Sequence, residues 1–244
     1  MDRPLEHDAR RLHVDAISRV LAALASLLRG GHPVDQAATL ASASQLAIQS
    51  LPAKETQVAL TTLDPNTALL VIDLQKGLLS FPTVDPIAGI VARAAELAGA
   101  FRRHGLPVIL VNVTGGAPGR AEQSRSLGEV PPDFAEFAPE LERQPGDHVV
   151  SKRTWGAFGN TGLDAYLKDL GVTQIVLAGV ATSIGVESTA RQAHELGYNV
   201  TLAIDAMTDR SREAQENSVT RIFPRLGETG TTAEIVALLG AARA

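Results

Sequence analysis

Gln174-Ile175-Val176-Leu177-Ala178-Gly179-Val180 is the most strongly patterned run in the chain, and Ala181-Thr182-Ser183-Ile184-Gly185-Val186 follows it directly. A continuous aliphatic run without polar alternation suits a parallel strand buried on both faces. Apolar residues then recur at helical spacing over 182–196, and Gly197 ends the pattern. This is one strand–helix unit.

The same unit repeats on either side of it. Ala68-Leu69-Leu70-Val71-Ile72 reads as a first strand, followed by a helix over 86–104, Gly105, and a second strand over 107–113. A third strand is predicted at 148–151, with a helix from 161 to just before Gly171. A fifth strand is predicted at 199–204, and helices at 211–221 and 231–242, the last capped by Thr231 or Thr232. Residues 114–147 are rich in Gly, Pro and charge without a period, which predicts a lid or binding loop. Alternation of this kind implies right-handed crossovers and an α/β fold: a parallel sheet with helices on both faces, a Rossmann-like three-layer sandwich over residues 61–244. Residues 1–60 differ. Leu12, Ala16, Ile17, Val20, Leu21, Leu24, Leu27 and Leu28 have helical spacing up to Gly30-Gly31, and an Ala-rich segment over 34–51 stops at Pro52. The reading is an N-terminal helical hairpin extension for packing or assembly, the chain being expected to form a homo-oligomer, dimer or tetramer.

Composition excludes whole classes of function. The 244 residues carry 22 Lys and Arg against 27 Asp and Glu, a formal charge of -5. That balance gives no electrostatic footprint for nucleic acid or an anionic membrane. The chain has no cysteine, so disulfides, thiolate metal sites and cysteine nucleophiles are all ruled out. Six scattered histidines lack ligand spacing, which predicts no metal. The glycines of 156–162 do not fit a dinucleotide fingerprint and no phosphate-binding glycine loop occurs, so no cofactor is expected. Met1-Asp2-Arg3-Pro4-Leu5-Glu6 is not the start of a secretory signal, and a cytoplasmic setting is expected.

Ligands of open parallel sheets bind beyond the carboxyl ends of the strands. The polar residues there are Asp73, Asn112, Thr114, Lys152, Thr182, Ser183 and Asp205. Asp73 ends an apolar run, where desolvation raises a carboxyl pKa toward the range useful for proton transfer; a structural cap is the alternative. Lys152 is a partner for a carboxylate or a substrate oxygen, or else a solvated strand end. The helix start after Val180 offers N–H groups to an anion. Ala181-Thr182-Ser183-Ile184-Gly185 resembles a degenerate nucleophile elbow, but the only histidine after Ser183 is His194, before Asp205, so the order Ser, acid, His fails. Glu187 and Arg191 read as a surface pair.

Together, Leu70-Val71-Ile72-Asp73-Leu74-Gln75, Val150-Ser151-Lys152-Arg153 and the segment 177–191 resemble the isochorismatase-like hydrolase superfamily, over about 66–239. In its cysteine hydrolases the catalytic set is Asp, Lys and Cys. The resemblance places the Asp on Asp73, the Lys on Lys152 and the Cys on Gly185, so the nucleophile is missing. It also implies a cis peptide near Val180–Ala181, aiming backbone N–H groups at a substrate oxygen. Members that act on isochorismate similarly use Asp and Lys with glycine in place of the Cys. For a small, anionic substrate the resemblance implies vinyl-ether hydrolysis, with Asp73 as general acid. Gln75 and Lys152 then orient it or the substrate, and the backbone of Val180, Ala181, Ser183 and Gly185 holds an oxygen. Trp155, Phe158 and Phe81 are candidate pocket walls, core packing being the equal alternative. Arg120 and Arg125 are candidate carboxylate contacts or plain solvated charges. The competing reading is a catalytically silent ligand-binding or scaffold protein that kept the fold.

Overall fold

The structure is a computed structural model and describes residues 60–117, 119–122 and 130–241. Residues 1–59 of the expected N-terminal helical hairpin, and Arg125, lie outside these residues.

Six parallel strands form one sheet: β1 (Thr67–Ile72), β2 (Val108–Val113), β3 (His148–Lys152), β4 (Gln174–Val180), β5 (Asn199–Thr208) and β6 (Glu228–Gly230). Their order is β3-β2-β1-β4-β5-β6, so the chain first winds one way from β1 and then restarts at β4 on its other side. The expected α/β architecture is present. Helices cover both faces: α1 (Lys76–Leu79), α2 (Ile87–Arg103), α3 (Leu163–Asp169), α4 (Glu187–Glu195), α5 (Arg212–Asn217), α6 (Phe223–Leu226) and α7 (Thr232–Ala241).

The alternation of side chains along each strand sorts the apolar residues into two layers. Leu69 and Val71 of β1 face Ile90, Leu97 and Phe101 of α2 and Ile235 and Leu239 of α7. Ala68, Leu70 and Ile72 face the opposite way, with Leu163 and Leu167 of α3 and Val186 and Ala190. Every residue of β1 and β4 is buried, as a central parallel strand requires. The α7 start is a capping box: Glu234 Oε2 accepts from the Thr231 amide and hydroxyl, and the Thr231 hydroxyl accepts from the Glu234 amide.

Four departures from the sequence expectations stand out. β5 runs on to Thr208 instead of stopping at 204, with a register shift against β4 between Leu177 and Gly179. The short edge strand β6 follows the helical segment. The helix after β4 opens with a π turn, Thr182–Val186, and the predicted 211–221 helix is interrupted by another, Ser218–Ile222. Within the long loop, Pro139–Leu141 forms a 3-10 turn, and Phe137 makes an antiparallel bridge to Gln75.

Gly179 makes the junction of β1 and β4 possible. Its φ is +120°, and a Cβ there would land on the Ile72 carbonyl oxygen. Only glycine lets these backbones approach so closely. Gly179→Ala is expected to cost about 3 kcal/mol or more, combining backbone strain with overpacking. Gly116→Ala, which meets nothing within 4 Å, should stay within about 0.5 kcal/mol of the parent. Chemical denaturation of both variants measures the difference.

Candidate active site

β1 ends at Ile72, and Asp73 adopts a left-handed conformation, φ 55°. Aspartate is one of the few non-glycine residues that tolerate it. The Asp73 amide still donates to Val111 O (2.8 Å), so the backbone stays in the sheet while the carboxylate turns into its edge, 6 % exposed.

Lys152 is the last residue of β3, two strands away. Its side chain is 2 % exposed, and Nζ lies 2.7 Å from Asp73 Oδ2. Nζ also donates to the carbonyls of Thr154 (3.2 Å) and Trp155 (2.9 Å). An ammonium has three hydrogens, so this one is saturated. Asp73 is asymmetric by contrast: Oδ2 is held by Lys152, while Oδ1 is buried without a hydrogen-bond partner. Burial pushes the Asp73 carboxyl from 3.8 up to about 6, and the charge and hydrogen bond of Lys152 only partly oppose it.

The π turn after β4 forms the third side. The Val180–Ala181 peptide is cis, where the sequence resemblance placed it. A Cβ on Gly185 would lie 2.9 Å from Val180 O, 3.1 Å from Ile72 Cγ2 and 3.2 Å from Asp73 Oδ2. Gly185 therefore packs directly on the carboxylate. Thr189, fully buried in α4, fastens this turn to the loop after β3. Its hydroxyl donates to Gly185 O (2.7 Å) and accepts from the Ala157 amide (3.1 Å). Gln192 Oε1 accepts from the Phe158 amide (3.1 Å). That loop supplies the two carbonyls that hold Lys152.

Asp209, the residue after β5, secures the same turn from the other side. Its Oδ2 accepts from the Ser183 amide and hydroxyl, both at 2.7 Å, and Oδ1 from the amides of Arg210 (2.7 Å) and Ser211 (3.2 Å). The first amides of the helix, expected to be open to an anion, are thus partly answered from within. Ser183 donates its hydroxyl proton to Asp209, which is not the geometry of an activated nucleophile. Sequence reading missed Asp209 because it ended β5 at Ile204. The carboxylate it singled out instead, Asp205, lies inside β5, pairs with Arg93 at 3.3 Å and caps Thr232.

Gln75 also corrects an expectation. Its Nε2 donates to Val113 O and Phe134 O (both 3.0 Å), and Oε1 accepts from the Val113 amide (2.7 Å). With no exposed surface, its amide joins β1, the end of β2 and the 131–137 segment instead of meeting a substrate. Phe158 packs on the second core layer, its ring 5.9 Å from that of Tyr198. Trp155 is 66 % exposed, and Phe81 lies under the Arg210 guanidinium at 5.5 Å. Arg120 is exposed.

Residues 67–234 match the isochorismatase domain. The chain is 44% identical over 177 residues to the uncharacterized isochorismatase family protein YwoC of Bacillus subtilis, covering 70% of this chain and 92% of that one. It is 29% identical over 219 residues to the ureidoacrylate amidohydrolase RutB of Variovorax paradoxus, covering 77% and 86%. Among solved structures, an isochorismatase family protein from Burkholderia thailandensis is 43% identical, with a TM-score of 0.72 over 75% of this chain and 100% of that one. The parallel sheet, the strand-end site and these similarities have one reading: the chain belongs to the isochorismatase family.

Proposed function

We propose that this chain is a hydrolase of small molecules that works by general acid catalysis from Asp73, without a nucleophilic side chain, on a vinyl ether of the isochorismate type. The observation that carries this reading is the asymmetric carboxyl of Asp73. One oxygen is fixed by the saturated Lys152 ammonium, and the other is buried, unpartnered and close to neutral pH in its affinity for a proton. Family resemblance puts the nucleophile of the cysteine hydrolases on Gly185, and the chain has no cysteine. Amide hydrolysis, which the name of RutB gives for that protein, is therefore not the reading favoured here.

The step balances without a cofactor. The proton on Asp73 passes to the terminal carbon of the enol ether, leaving an oxocarbenium ion. Water adds to that ion and gives up a proton, which restores the Asp73 carboxyl. The resulting hemiketal breaks its C–O bond to release a ketone and an alcohol. Lys152 holds Oδ2 throughout and stabilises the carboxylate left behind when the proton departs. The backbone carbonyl of Val180 borders the same space, 2.9 Å from where a Cβ on Gly185 would lie.

Three measurements test the reading. A metabolite screen by mass spectrometry, including isochorismate and simple amides, should find a vinyl ether consumed by the parent protein. Asp73→Asn should lower its kcat about a hundredfold or more, the range of general acid catalysis, and Lys152→Met should lower it as well. Circular dichroism checks that both variants stay folded. Parent-like rates in both variants would refute the mechanism, and binding without turnover in the parent would favour a silent ligand-binding protein.

The pH profile is the second measurement. Asp73 carries its proton below about 6 and loses it above. An acid catalyst acts from the protonated form, so kcat/KM should fall about tenfold per pH unit above that value. A rate that rises through the same range would mark Asp73 as a base.

In the third, Gly185→Cys should not create an amidase. The new Cβ would crowd Val180 O and Asp73 Oδ2. Loss of the parent activity without a gain of amide hydrolysis is the expected result.

A further inference from the structure

Both positive features of the site are answered from inside the fold. The Lys152 ammonium has its hydrogens on Asp73, Thr154 and Trp155, and the Ser183 amide is held by Asp209. An anionic substrate would meet the carboxyl groups of Asp73 and Asp209, and neither the Lys152 ammonium nor the Ser183 amide has a hydrogen left to offer. A charge complement must come from another residue.

Arg153 follows Lys152 directly, is exposed, and has no ion-pair or hydrogen-bond partner among the described residues. It is nevertheless seated. A Cβ on Gly115 would lie 3.0 Å from its Cζ and 3.1 Å from both Nε and Nη2. Near-equal distances to three atoms of one plane mean that the guanidinium rests face-on against the glycine. Its N–H edges are then directed outward, the orientation in which arginine forms paired hydrogen bonds to a carboxylate. Gly115 is itself anchored to the site, because the preceding Thr114 amide donates to Lys152 O at 2.9 Å. Two residues beyond Arg153 the Trp155 indole stands 66 % exposed, an apolar plate attached to the loop whose carbonyls hold Lys152.

We propose that Arg153 is the carboxylate-recognising residue of this site, binding the anionic end of a small substrate whose flat apolar body lies against Trp155. This deepens the acid-catalysis reading and rests on its placement of the site. It names the substrate class as small, planar carboxylates.

Trp155 is the only tryptophan of the chain, so its fluorescence reports on the loop directly. The full-length protein is titrated with benzoate and with its neutral isostere benzamide. Benzoate should give a saturable change, with affinity at least about tenfold above that of benzamide, the scale of a charge-assisted paired contact. Arg153→Ala should remove that preference and leave benzamide within twofold of its parent value. Gly115→Ala should also weaken benzoate, since the three atoms nearest the added methyl all belong to the Arg153 guanidinium. Absence of a saturable benzoate response, equal affinity for the two probes, or a preference that survives Arg153→Ala would overturn the proposal. Binding needs no turnover, so Asp73→Asn separates the two ideas. If that variant turns over substrate like the parent while benzoate binding still depends on Arg153, acid catalysis fails and the carboxylate subsite stands.

Discussion

A lysine ammonium loses most of its hydration when its side chain is 2 % exposed, and a protein can hold it there only by replacing water on all three hydrogens. Asp73 and two carbonyls of the following loop do so for Lys152. Those acceptors come from different places: one from the end of β1, two from the turn after β3. The contact exists only while β3, β2 and β1 lie side by side with their carboxyl ends level. Removing either charged partner would strand the other in a dry environment, at a cost of about 3–5 kcal/mol for a typical buried pair. The chemistry of the site and the alignment of half the sheet thus depend on the same contact.

Around that pair, buried polar side chains mostly serve the backbone. Gln75 answers groups of β2 and of the 131–137 segment, Thr189 joins the π turn to the loop after β3, and Asp209 ties the same turn to the end of β5. Each satisfies main-chain groups that loops at a sheet edge would otherwise bury without partners. Loops fastened in this way hold reacting groups in position with little reorganisation. Against this background three buried side-chain atoms among the described residues have no hydrogen-bond partner, Asp73 Oδ1, Asn112 Oδ1 and Thr182 Oγ1, all at or just beyond the carboxyl ends of β1, β2 and β4, where a ligand of an open parallel sheet binds.

The fold was legible in the sequence because its central strands are buried on both faces, and such strands are written as uninterrupted aliphatic runs. Asp73 was legible as the polar residue ending such a run and Lys152 as the polar end of the short edge strand β3, although nothing in their separation by 79 positions pairs them. What was hidden depended on register and on side-chain direction. The β5 strand carries a polar residue, Asp205, in mid-run, so it looked finished before the register shift that carries it to Thr208, and Asp209 went unread. Gln75 carries a functional-looking amide next to Asp73, but only the bridge to Phe137 shows that backbone groups surround it. The face-on seat of Arg153 depends on a glycine 38 positions earlier in the sequence, and no periodicity connects them.

Under the proposed mechanism, glycine at position 185 determines which chemistry the pair performs. With a thiol there, the useful Asp73 would be an ionised one, able to take the thiol proton. With glycine no thiol proton is on offer, and on the acid-catalysis reading the same desolvation is an advantage, because an acid with a pKa near 6 delivers its proton to a weakly basic carbon closer to neutrality than an ordinary carboxyl does. The space beside Asp73 is also too tight for a Cβ without displacing the Val180 carbonyl or the carboxylate itself. Burial raises the Asp73 carboxyl while the charge and hydrogen bond of Lys152 pull the other way, and the balance leaves it near 6 with one oxygen unpartnered. In the proposed mechanism that oxygen carries the transferable proton, and this is the ground on which our reading prefers turnover to silent binding.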